Sequence, residues 1–180
     1  LSVFRLETPT QSEFSLIIPK KAIGEIQKLF FDKIEIYYDD TTLIAQSSNF
    51  EFFTKLINGK FPDYNRVIPQ EIKKRLRLSR DKMIEGIKTV SIMSESTKII
   101  FAPQTVSFES IVEDNSEAKT SIDFATGLES EIYVGVKNRY LLDFLQNIEE
   151  EHFEFGFNDS NLAFTVSSNE LKTVIMPINL

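Results

Sequence analysis

The sequence predicts an α+β fold made of repeated β-α-β-β-β units, with antiparallel sheets and the helices sharing one side. Three observations carry that reading. One arrangement of strand, amphipathic helix and further strands occurs three times at nearly constant spacing, the mark of a repeated architecture. Within each unit the apolar residues recur three and four apart and then switch to strict alternation. Basic residues also gather in the helical windows of an otherwise acidic chain.

The first element is LSVFRLE, Leu1–Glu7, an alternating segment that reads as the last strand of a preceding unit. It has no initiator Met, and Arg5 and Glu7 come too early for a signal peptide, so the chain is expected to begin inside a longer protein. The first full entry runs from Phe14 through IIPKKAIGEIQKLF, where Ile23, Ile26 and Phe30 hold helical spacing. IEIYY then alternates, Asp39 and Asp40 signal a turn, and TLIAQS and FEFFTKLI follow as strands. In the second unit Met83, Ile87 and Val90 define the helix. Ser79 stands where an N-cap would, and Asp81 faces the positive end of the dipole. KIIFA, TVSFESIVE and TSIDFA are its strands, interrupted by an acidic and polar excursion at Glu113–Glu117. The third unit places Leu141, Phe144, Leu145 and Ile148 on a helix. FEFGF, LAFTV and KTVIMPI follow, separated by turns at Asn158–Asn161 and Ser167–Glu170.

Ile18, Leu78 and Val136 end the three lead strands, so the units repeat at offsets of 60 and 58 residues. Residues 1–68 are expected to form the second half of one domain. Residues 69–180 are expected to form a whole domain of two units.

With 42% hydrophobic residues and 16 Phe among 180, the chain can bury a substantial core. It contains no Cys, which removes disulfides and thiolate chemistry. No apolar run reaches the ~18 residues of a membrane span. The formal net charge of −7 argues against a nucleic-acid partner on average. Placement says otherwise. Pro19–Lys33, Ser79–Ile92 and Lys137–Asn147 together hold nine basic and five acidic residues, leaving eleven and twenty-two for the remainder. A net +4 helical surface on a −11 background would attract a phosphate backbone without reading sequence. Lys20, Lys21, Lys28, Arg80, Lys82, Lys88, Lys137 and Arg139 are the candidate DNA-facing residues. The plainer reading is a set of solvated helix faces, with Glu25 pairing four residues back to Lys21.

No catalytic residue, metal site or cofactor is expected. His152 is the single histidine and reads as a surface residue, and Gly24 and Gly86 lie inside helical patterns instead of in a phosphate loop. The run Glu149, Glu150, Glu151 reads as a solvated charge cluster, because adjacent carboxylates do not readily converge on one ion.

Three features together resemble the bacterial DNA polymerase sliding clamp family. They are LINGKFPDYNRVIP at Leu56–Pro69, the closing TVIMPINL at Thr173–Leu180, and the strand-helix-three-strand repeat itself. The opening LSVFRLE also resembles the family's strand that begins at the Leu of its His-Arg-Leu segment. The resemblance implies the DNA clamp fold, with sheets outside and helices lining a hole. It implies a polymerase processivity factor that encircles duplex DNA as a head-to-tail homodimer of three-domain subunits, in the bacterial cytoplasm. Its expected partners are replicative and translesion polymerases and the clamp loader, through a peptide resembling Gln-Leu-x-Leu-Phe. The pocket implied by position comprises Leu1, Pro62, Arg66, Val67, Tyr140, Val174, Ile175, Met176, Pro177, Ile178, Asn179 and Leu180, between the middle and last domains.

This chain also departs from the family pattern. Lys98 stands where the family commonly has an aromatic residue in a helix-to-strand loop, and Lys137 where Asn is common. Asn161 and Ala163 replace small or apolar pocket positions. The resemblance further implies that this chain alone cannot close a ring and is monomeric or weakly self-associating. The competing reading of the residues is a β-rich interaction module with no DNA role.

Overall fold

A computed structural model describes residues 1–6, 14–111 and 118–180. Glu7 and the excursion at Glu113–Glu117 lie outside the described residues. The elements are β1 (Ser2–Phe4), α1 (Lys20–Leu29), β2 (Glu35–Tyr38), β3 (Thr42–Gln46), β4 (Glu51–Lys55) and a 3-10 turn at Tyr64–Val67. They continue as β5 (Lys74–Ser79), α2 (Arg80–Ser91), β6 (Ser96–Phe101), β7 (Thr105–Ser110), β8 (Lys119–Asp123) and β9 (Ile132–Lys137). The chain closes with α3 (Asn138–Gln146), β10 (His152–Phe157), β11 (Phe164–Ser168) and β12 (Leu171–Ile175).

Backbone contacts divide the chain into two compact units, residues 8–63 and residues 64–180 joined by residues 1–7. The division falls between residues 63 and 64, ahead of the expected boundary at residue 69. Asn158 fastens the residues just before β5, accepting from Lys73 N at 2.7 Å and donating to Glu71 O at 2.8 Å. The opening strand also belongs to the larger unit. β1 pairs antiparallel with β12, Ser2 opposite Thr173, as the edge of a five-stranded sheet ordered β1-β12-β11-β10-β5.

The second sheet of the larger unit is ordered β8-β7-β6-β9. The two repeats exchange lead strands. β5 enters the sheet of the third repeat by pairing with β10, Leu78 opposite Phe153, and β9 enters that of the second by pairing with β6. Each helix therefore connects one sheet to the other, and α2 and α3 pack on each other. Alternation drives this. Leu76 and Leu78 on β5, Val134 and Val136 on β9, and Phe153, Phe155 and Phe157 on β10 all point into one core. An aromatic cluster fills its centre, with Phe155 lying 5.0 Å from Phe101 and 4.8 Å from Phe164 between ring centroids. α2 comes close to β7 because Gly86 has no side chain: a Cβ there would lie 2.6 Å from Phe108 Cδ2.

Two local expectations differ from the structure. Ser79 precedes α2 in extended conformation but makes no side-chain capping bond, and Asp81 is the acidic residue of that first turn. Glu25 pairs with Lys28 at 2.8 Å, not with Lys21.

Among its described residues the smaller unit contains one helix and the sheet β2-β3-β4. Its lead segment, Phe14–Ile18, forms no strand, although Ile57 N donates to Ile17 O at 2.9 Å. In the other repeats that segment becomes a strand by pairing with the first post-helix strand of a second repeat, and no such strand is present among the described residues of this unit. The β2–β3 turn is fastened by Asp39, whose carboxylate accepts from Thr41 N and Thr42 N at 2.7 Å each. Those bonds, Thr41 first, hold Asp39 below the usual carboxylate range.

Candidate functional site

The closing segment of the chain is held at two places within the larger unit, and the turn before it at a third. Leu1 and Val174 exchange backbone bonds, Val174 N to Leu1 O at 2.7 Å and the Leu1 amine to Val174 O at 3.1 Å. Beyond β12 the tail turns onto β9, where Ile178 N donates to Gly135 O at 2.9 Å. Gly135 makes that seat possible, because a Cβ there would lie 2.8 Å from Ile178 O and 3.0 Å from Leu180 Cδ2. The β11–β12 turn that feeds this strand puts Asn169 at φ 46°, a conformation Asn tolerates. Glu150 braces the turn by accepting from Ser168 Oγ at 2.7 Å and from Asn169. These bonds, that of Ser168 first, hold Glu150 below its ordinary range.

The expected pocket residues divide by burial. Val174 and Ile175 are buried in the core, and Pro177 and Ile178 are half-buried. Met176, Leu180, Tyr140 and Leu1 remain open at 67%, 55%, 53% and 44% exposure, leaving apolar surface on the tail, on the first turn of α3 and at the chain start. α3 packs against β12, the strand that leads into the tail. Val67 is exposed and Arg66 sits beside it on the 3-10 turn, while Pro62 is an exposed residue of the smaller unit. Asn161 is exposed in the β10–β11 turn, and Ala163 is half-buried just before β11.

Lys98 lies in the middle of β6, not in a loop. Its ammonium is 3.4 Å from Glu109 and sits over the Tyr133 ring at 5.0 Å. Glu109 is shared with Lys119, whose hydrogen bond is the main reason its carboxyl is held down. Gly135 was not among the expected site residues. The signal for it was a lone glycine inside the strand IYVGVK, a position that marks a close backbone approach.

The basic candidates also separate. Lys82 and Lys88 on α2, Arg139 on α3, and Lys20, Lys21 and Lys28 on α1 are all exposed. Lys28 pairs with Glu25, and Arg139 lies 3.6 Å from Asp143. Arg80 is half-buried. Its Nε donates to Leu145 O at 2.9 Å, so it caps the end of α3. Lys137 is the last residue of β9 and shares the face of Gly135 that carries the tail, opposite buried Val136.

His152 is exposed at the start of β10. Among the described residues no three His, Asp or Glu side chains are grouped to hold a metal. No helix among them is long and apolar enough to cross a membrane.

Residues 65–179 match the family model for the C-terminal domain of the DNA polymerase III beta subunit, and residues 1–63 match that for its central domain. A beta sliding clamp of Helicobacter pylori strain J99 is 30% identical over 184 residues, covering 95% of this chain and 49% of its own length. One from Chlamydia pneumoniae is 31% identical over 172 residues, covering 91% of this chain and 46% of its own. In three dimensions the H. pylori beta clamp bound to a DNA ligase peptide superposes with a TM-score of 0.92. That match has 29% identity and spans 99% of this chain and 51% of the clamp. The Pseudomonas aeruginosa beta subunit gives 0.87 at 26% identity, spanning 96% of this chain and 50% of the subunit. The chain thus spans about half the length of the curated relatives it matches.

Proposed function

We propose, since this chain belongs to the DNA polymerase III beta subunit family of bacterial sliding clamps, that it is the partner-docking part of a polymerase processivity factor. On this reading the whole protein is a non-catalytic accessory subunit that encircles duplex DNA in the bacterial cytoplasm. The observation that carries the docking role is the open apolar side chains of Met176 and Leu180, on a tail held in place by Gly135 and β1, with Leu1 and Tyr140 exposed at the chain start and on α3. A short peptide with two apolar anchors fits such a surface, and Met can adapt to varied partners. The ligase peptide bound to the related H. pylori clamp supports it. Polymerases and the clamp loader would dock by the same chemistry.

The exposed lysines of the helices support contact with DNA, loose and blind to sequence. A second copy would close the ring of the full-length protein. Ile92, 84% exposed at the end of α2, and Met93 leave apolar surface for that seam. The loop after them is bonded to Ile111 at the end of β7, beside the edge strand β8.

The test is a titration of labelled Gln-Leu-x-Leu-Phe peptide against this chain and its Met176→Ala, Leu180→Ala variant. The variant should bind at least about tenfold more weakly, since each anchor contact is worth about 1–2 kcal/mol. Equal affinity for both proteins rejects the docking role.

A further inference from the structure

The docking surface has a charge of its own that the apolar tail does not explain. Segment 173–180 contributes no charged side chain. The strands beneath it contribute two cations whose positions follow from register. Gly135, which seats Ile178 and Leu180, lies directly opposite Lys98, and Lys137 lies opposite Ser96. Directly paired residues share a face with their Cβ positions ~5 Å apart, and residues two along a strand share it at about 7 Å. Lys98 and Lys137 therefore both rise on the face where the Leu180 side chain rests.

The two cations differ in what they already hold. Lys98 is taken up by Glu109 and the Tyr133 ring. Lys137 is exposed and makes no ion pair among the described residues. Its nearest charged neighbour along the chain, Arg139, is also a cation and is engaged with Asp143. An apolar seat with one uncommitted ammonium at its edge complements a ligand that carries apolar anchors and a carboxylate.

We propose that Lys137 is a specificity-determining residue of the docking surface and selects partner peptides that carry an acidic residue beside their apolar anchors. The proposal rests on the docking role above and adds the chemistry of the ligand. A half-exposed ion pair adds modestly to affinity and more to discrimination, so the preference should be severalfold and sensitive to salt.

Four labelled peptides test it on the 180-residue chain. One is Gly-Gln-Leu-Ser-Leu-Phe-Gly, and the others carry a single Glu in place of the first Gly, the Ser or the last Gly. At low salt at least one acidic peptide should bind the unaltered protein about threefold or more tightly than the neutral one. The acid-to-neutral ratio should fall to one in Lys137→Asn and below one in Lys137→Glu. It should also fall toward one for the unaltered protein at high salt. Ratios that are the same in the unaltered protein and in Lys137→Asn for all three acidic peptides overturn the proposal while leaving the docking role standing. If none of the four peptides binds the unaltered protein, the docking role falls and the proposal falls with it.

Discussion

The two compact units are built from the same repeat, once in one and twice in the other, and their interiors differ accordingly. In residues 64–180 two repeats exchange lead strands, and Leu78, Phe101, Phe108, Phe155 and Phe157 are all under 2% exposed. In residues 8–63 the buried apolar side chains among the described residues are Ala22, Leu43 and Ala45. Phe53 is 68% exposed there and Phe31 88%. A single β-α-β-β-β unit has one apolar sheet face and one helix, too little to cover itself. Two units, each supplying the other's outer strand, enclose a continuous core. The difference lies in closure rather than composition, since both regions are rich in Phe.

The sharpest way to break this comparison is to remove a phenylalanine from each region. Phe155→Ala should cost about 3–5 kcal/mol in urea unfolding, because Phe155 packs between Phe101 and Phe164. Phe53→Ala should change stability by under about 0.5 kcal/mol. Equal losses would mean that the smaller unit has a core of its own. A second pair compares glycines at helix interiors. Gly86→Ala must displace the Phe108 ring and should cost about 1–3 kcal/mol, whereas Gly24→Ala meets nothing within 4 Å and should gain up to about 1 kcal/mol in thermal unfolding. Both changes having the same sign would contradict the packing described for α1 and α2.

The smallest effect concerns pH. Glu109 in the larger unit is held below its ordinary value, chiefly by the Lys119 hydrogen bond. A depressed carboxyl stabilises the fold above its unfolded value, and that stabilisation is lost as pH falls through the folded one. Glu109→Gln should therefore flatten the fall of Tm on acidification through and below the ordinary carboxylate range. An unchanged Tm–pH curve would assign that slope to other carboxylates.

Much of the fold was legible because periodicity is local. The spacing of Met83, Ile87 and Val90, and the alternation of FEFGF, each declare an element without help from elsewhere. What was not legible depends on distant partners. Nothing in KRLRLS says that β5 joins β10 instead of the strands of its own repeat, and nothing in FSLII says that it finds no strand partner among the described residues of its compact unit. The site divides in the same way. The apolar tail was visible as residue types, but its seat on Gly135 needed the β6–β9 register. Arg80 looked like one more surface cation, and only the crossing of α2 with the end of α3 shows that it serves Leu145 O.

The exchange of lead strands also has a consequence in time. β5 is complete at Ser79, but its pairing partner begins at His152. A ribosome adding ~5–20 residues per second leaves β5 without that partner for roughly 4–15 s. During that wait the apolar side of β5, Leu76 and Leu78, has only its own repeat to shelter it. The sheet β8-β7-β6-β9 has all its strands once Lys137 is made, but the core it shares with the five-stranded sheet closes only after β10 emerges, so lasting hydrogen-exchange protection of the two repeats should come together at that point.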